Sequence, residues 1–232
     1  TPFTLSGNID TGGGRLVLGP DCALTLVAGF FRGDLQAGGN ELRFESSSYV
    51  LHCTIDDVVF VGEADDSFEV TITTRLVVMD SLRNGGSGGG GAVTVQGDLI
   101  NHGLITNDQY SFPVRVWGDL ENNGIISNPL LQFMGAGVEH RLRTGPDAVI
   151  SAAVFLPEFQ AATLVAETPV HFANDLGLGV GTLVLEPGAA LRFSDFGGLG
   201  SGTVLAGGNT ITVAGNASVN QVQIDQGVVG EL

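Results

Sequence analysis

Lysine is absent from this chain of 232 residues: its nine basic residues are all arginines, set against 25 Asp and Glu, for a net charge of −16 at pH 7. Such an acidic surface argues against nucleic acid and anionic membranes as partners, because neutralising phosphates needs basic patches. It suits an extracellular protein in contact with solvent, and it leaves divalent cations as conceivable ligands. There is no run of 18 apolar residues, so no membrane insertion by a helix is expected. Cysteine is scarce. Cys22 and Cys53 are the only two, at a separation that fits neither a metal site nor a redox motif. Two readings of the pair stand: small buried apolar residues, or a disulfide joining neighbouring coils of a secreted chain. GLGVG at 177–181 has neither the following helix nor the lysine of a nucleotide loop. No segment keeps a 3.6-residue apolar period beyond two turns, so helix content should be very low.

What the chain has in quantity is glycine, 36 residues scattered at turn spacing, and one repeat. Residues 93–107 read VTVQGDLINHGLITN and residues 114–128 read VRVWGDLENNGIISN, aligned without a gap at a spacing of 21. Period-two alternation at Val93/Val95 and Val114/Val116 marks strands with one buried face. Gly97-Asp98 and Gly118-Asp119 read as turns in which glycine supplies a positive φ, and a second turn follows at Gly103 and Gly124. Leu99 and Leu120 then point back inward. If each unit is one coil, equivalent positions lie about 4.8 Å apart. Val stacks on Val, Leu on Leu, and Asn101 on Asn122 as an amide ladder. A fixed period of this size marks a stacked-repeat fold.

Fainter echoes extend the period. VMDSLRNGG at 78–86 reads as a degenerate VQGDLINHG (95–103). LVLGPDCALTL (16–26) matches LVLEPGAALRF (183–193), and Ala37-Gly38-Gly39-Asn40 matches Ala206-Gly207-Gly208-Asn209. These offsets lie close to eight coils of 21. The expectation is therefore an all-β, single-domain parallel β-solenoid over residues 1–232, with about eleven coils of about 21 residues. The glycine-rich tract 84–91 would be a loop between coils, or alternatively an engineered linker. Thr1 in place of Met reads as a processed or trimmed start.

Units of the form V-x-V-x-G-D-L-x-N-x-G-x-I, with L-x-L-x-P-G-A-x-L-x-F coils, resemble the right-handed parallel β-helices of bacterial secreted surface proteins, in the style of filamentous haemagglutinin and autotransporter passengers. The resemblance rests on 93–107, 114–128, 16–26 and 183–193. It implies an extracellular or cell-surface location in a bacterium and a structural or adhesive role without catalysis, as a self-associating fibre, a surface-layer subunit, or a contact for other surface proteins and glycans. Right-handed β-helices also include polysaccharide lyases and hydrolases, so a carbohydrate-active enzyme or a glycan-binding module is the alternative.

An enzyme of that kind needs clustered carboxylates as general acid and base. The candidates are Asp56-Asp57 and Glu63 with Asp65 and Asp66. The same five residues are the only candidates for a weak Ca²⁺ site, and no other cofactor is expected. Solvated turn residues are the simpler reading of both groups. Glu139-His140-Arg141-Leu142-Arg143 is the one basic cluster and reads as a strand's solvent face. His52, His102 and His171 are isolated. Trp117 replaces Gln96 at an outward position of the repeat, so it is the candidate contact for a glycan or a partner.

Overall fold

Valines, leucines and isoleucines at every second position, broken every few residues by glycine, give strands too short to stand alone and one apolar face each. They stabilise one another by stacking. The computed structural model describes residues 2–45, 48–66, 69–84, 91–107, 113–156, 161–194 and 197–231, with the backbone alone at 65, 66, 84, 107, 128, 129, 228 and 231. It is a parallel β-solenoid of about ten turns of about 21 residues, close to the eleven expected. No helix occurs among the described residues, so none is long and apolar enough to cross a membrane.

Each turn visits three faces. In the repeat, Asp98–Asn101 lies on face A, Leu104–Asn107 on face B and Pro113–Val116 on face C. Every strand pairs in parallel with the strands one turn before and after. The register is as the repeat predicts: Val93 beside Val114, Val95 beside Val116, Leu99 beside Leu120 and Asn101 beside Asn122.

The core is a set of columns of side chains parallel to the axis. Face A contributes Leu76, Leu99, Leu120 and Leu142. Face B contributes Leu82, Ile105, Ile126 and Ile150, then Phe172 and Phe193. Face C contributes Leu35, Ile55, Ile72, Val95, Val116 and Phe133. All are buried, and each full burial is worth about 1.5–3 kcal/mol. The Phe172 and Phe193 rings stack at 5.7 Å and 18°.

Three sequence expectations change. Gly97 and Gly118, expected at positive φ, are not; like Gly103 and Gly124, they supply room. A Cβ on Gly124 would fall 2.0 Å from the Gly103 carbonyl oxygen, and one on Gly103 would fall 1.9 Å from that of Asp80. Successive corners lie too close for any side chain.

The segment 78–86 is also out of the expected register. Leu76 pairs with Leu99, and Leu82 pairs with Ile105 on the next face. The turn here is two residues longer than the repeat, and its polar Ser81-Leu82-Arg83 imitates a different part of it.

The terminal echo, finally, is not a whole number of turns. Leu16 lies on face C, beside Leu35, and Leu24 on face A, beside Leu42. Leu183 lies on face A, beside Val204, and Leu191 on face B, beside Ile211. The matching segments are the same corner used at two different edges of the prism. In each, an Asn seals the corner. Asn40 Nδ2 donates to the Ala37 and Gly19 carbonyls, and Asn209 Nδ2 to those of Ala206 and Leu185. Asn40 Oδ1 accepts the Cys22 N–H and Asn209 Oδ1 that of Gly188, both at 3.1 Å.

Candidate functional site

The outward side chains of face C form their own column. Val93 and Val95 point inward, so Thr94 between them points out, and parallel register then places Thr94, Arg115, Gln132 and Phe155 side by side on four turns, about 4.8 Å apart. The next outward position, where the chain leaves the face, holds Trp117 and then Met134. Their N–H groups donate to Val95 and Val116 across the same ladder. Trp117 is 44% exposed. Between these two rows lies a cleft of about 510 Å³, with Leu156 at its end.

Phe155 closes that end because of a glycine. A Cβ on Gly177, its neighbour in the next turn, would lie 2.7 Å from a Phe155 ring carbon. With no side chain there, the ring lies over the Gly177 backbone. Beyond it a second hollow of about 300 Å³ runs over Gly177, Gly198 and Gly200 to Ser218 and Asn220.

None of the described residues lining the first cleft is acidic. Arg115 Nε donates to Gln132 Oε1 at 3.3 Å, and no carboxylate among the described residues pairs with Arg115. Other arginines are neutralised: Arg43 by Glu41, Arg75 by Asp57, and Arg141 and Arg143 by Glu167.

The carboxylates singled out from sequence go elsewhere. Asp56 Oδ1 accepts the N–H groups of Ala37 and Gly38 at 2.6 and 3.0 Å, closing a corner. Asp57 takes a two-pronged ion pair from Arg75, at 2.8 and 3.0 Å. Glu63 is exposed on a strand that pairs with Ser81–Asn84. The side chains of Asp65 and Asp66, and residues 85–90 of the glycine tract, lie outside the described residues. No group of three or more His, Cys, Asp or Glu placed to hold a metal ion occurs among the described residues. Asp98 and Asp119 are likewise structural, each accepting a backbone N–H from the following turn, that of Asp119 at 2.9 Å and of Arg141 at 2.8 Å.

Of the two readings of the cysteine pair, the alternative, a bridge between Cys22 and Cys53, does not form; both are thiols. Cys22 sits at a corner, whereas Cys53 points into the core with its Sγ–H donating to the Phe31 carbonyl at 3.0 Å. The basic cluster divides by strand alternation. His140 is wholly buried, its Nδ1 2.8 Å from the Gly118 carbonyl. Arg141 and Arg143 point outward and grip Glu167 on the next turn, and Arg141 also bonds Glu139 at 2.9 Å. Hydrogen bonds from Arg143 and then Arg141 hold the Glu167 carboxyl below the ordinary carboxylate range. His102 stacks against Asn123, the residue at its place in the next turn, at 3.4 Å.

Trp117 was visible in the sequence; its neighbours were not. Arg115 sits 21 residues after Thr94 and could have been read from the repeat. Gln132 and Phe155 follow turns of 17 and 23 residues, which only the register reveals.

The arrangement defines a class: a parallel β-solenoid with an aromatic cleft on one outer face. No family model matches the chain, and no curated protein or solved structure does.

Proposed function

We propose that the chain is an adhesive element of a bacterial cell surface or secreted fibre, in the manner of the β-helical surface proteins its repeats resemble, and that face C is its glycan contact. The observation that carries this is the cleft between Trp117 and Phe155. Its aromatic rings offer flat apolar platforms, and Arg115, Gln132 and Thr94 offer donors between them. That combination suits sugar rings, which present apolar C–H faces and hydroxyl edges. Binding without cleavage is the reading, because glycoside hydrolysis needs two carboxylates about 5–10 Å apart at the substrate, and none lines this cleft among the described residues.

Binding of the purified protein to a glycan array tests this, with Trp117→Ala alongside. Retention that Trp117→Ala abolishes supports the proposal. Retention unaffected by Trp117→Ala, or none on any glycan, overturns it.

Lateral self-association belongs to the same proposal. Leu104 and Ile125 are stacked in register and both exposed, an apolar ridge along one edge of the rod. Electron micrographs should show paired or bundled rods; single particles at every concentration would remove this part.

A further inference from the structure

We infer that the sugar held in the cleft carries a carboxylate, with Arg115 as its anchor and Trp117 as the platform for its ring. The inference rests on the glycan reading and adds its chemical class.

Charge comes first. A protein of net charge −16 repels anions over most of its surface. Its outward arginines are mostly tied to carboxylates, as Arg75 is to Asp57 and Arg143 to Glu167. Arg115 is not. It stands in a cleft of about 510 Å³, with no acid among the described residues of the lining and no carboxylate partner among the described residues.

Orientation comes second. Gln132 Oε1 accepts from Nε, which steadies the guanidinium and leaves both terminal nitrogens for a ligand. Two parallel N–H groups match the two oxygens of a carboxylate. The Gln132 amide nitrogen and the Thr94 hydroxyl, one rung to either side, are placed for ring hydroxyls.

The surroundings select among anions. A nucleic acid strand would need a row of basic groups, and Arg115 is the only cation among the described residues that line the cleft. One cation beside an aromatic face fits a single negative charge on an otherwise neutral, partly apolar ring. The volume, about 510 Å³, lies in the range of small-ligand sites.

Calorimetric titration of the intact protein with trigalacturonate, its methyl ester, maltotriose and triglutamate tests this. The variants are Arg115→Gln, Trp117→Ala and, for the same change of charge on another face, Arg192→Gln, whose side chain is exposed on face B. Trigalacturonate should bind about tenfold or more tighter than the ester, from the worth of a charge-assisted hydrogen bond. Arg115→Gln should remove that margin, weakening trigalacturonate about tenfold more than it weakens the ester. Trp117→Ala should weaken both, and Arg192→Gln neither. Equal affinity for acid and ester, or equal effects of Arg115→Gln and Arg192→Gln, overturns the acid-sugar inference; the glycan reading then stands if Trp117→Ala still abolishes binding. Triglutamate binding as tightly as trigalacturonate overturns the sugar as ligand. Binding of none of the three sugars overturns the acid-sugar inference, and together with no retention on the glycan array it overturns both.

Discussion

Asn101 donates from Nδ2 to Oδ1 of Asn122, 2.8 Å away and one turn along, with both side chains fully buried in a column that runs from Val78 to Thr144. Each amide oxygen also accepts an N–H of its own corner, from Gly103 and Gly124. The ladder thus satisfies backbone donors that the close-packed glycines cannot turn towards solvent. Asn101→Ala and Asn122→Ala should each cost about 1–3 kcal/mol, the range for a buried group losing its partner. The double variant should cost less than the sum, because the second change no longer breaks a bond. A double-mutant cycle by denaturant unfolding measures this; strict additivity would mean that the two amides act independently.

Gly124→Ala forces a methyl against the Gly103 carbonyl, a backbone atom that cannot step aside. We expect a loss of about 3 kcal/mol or more, at the upper end for overpacking. Gly19→Ala is the control, since nothing lies within 4 Å of its Cβ position and its φ is unstrained. Thermal unfolding should separate the two clearly, and similar melting temperatures would refute the close-packing account.

Glu167 carries the pH dependence. Its carboxyl is held below the ordinary range by Arg143 and Arg141, so ionisation favours the folded chain. That stabilisation is complete above the unfolded-chain value, about 4.3, and is lost as pH falls through the lower folded value. Glu167→Gln should therefore lower stability at neutral pH and flatten the stability profile below about pH 4.3. Salt should shrink the difference, because the partners are solvent-exposed. A parallel shift of the whole profile would contradict the assignment.

Gly177→Ala reports on the cleft rather than the core. The new methyl would meet ring carbons of Phe155 at 2.7 and 2.9 Å, and an outward ring moves more readily than backbone. Global stability should change by about 1 kcal/mol or less, while glycan affinity drops and acrylamide quenching of the single tryptophan changes. Unaltered quenching and affinity would show that Phe155 does not shape the site.

The solenoid was legible because the 21-residue repeat preserves residue type at inward positions, where burial restricts choice: Val95, Leu99 and Asn101 recur as Val116, Leu120 and Asn122. Register elsewhere was hidden, since turns of other lengths place unlike residues together, Val78 with Asn101 and Asn122 with Thr144. The role of the repeat glycines was hidden for another reason. Sequence shows that a side chain is missing, but only the stack shows which atom stands where it would be. Arg115 and Phe155 went unremarked because outward positions carry no periodic constraint.

The Asn-sealed corner occurs on the edge between faces C and A at Asn40 and on the edge between A and B at Asn209. A joint that closes through its own two chains is indifferent to where in the cross-section it is installed. The sides of the prism can accordingly lengthen or shorten from one rung to the next without any neighbour losing its mate. An outer surface such as the Trp117 recess can then be contoured by altering side lengths alone, with the interior columns left intact.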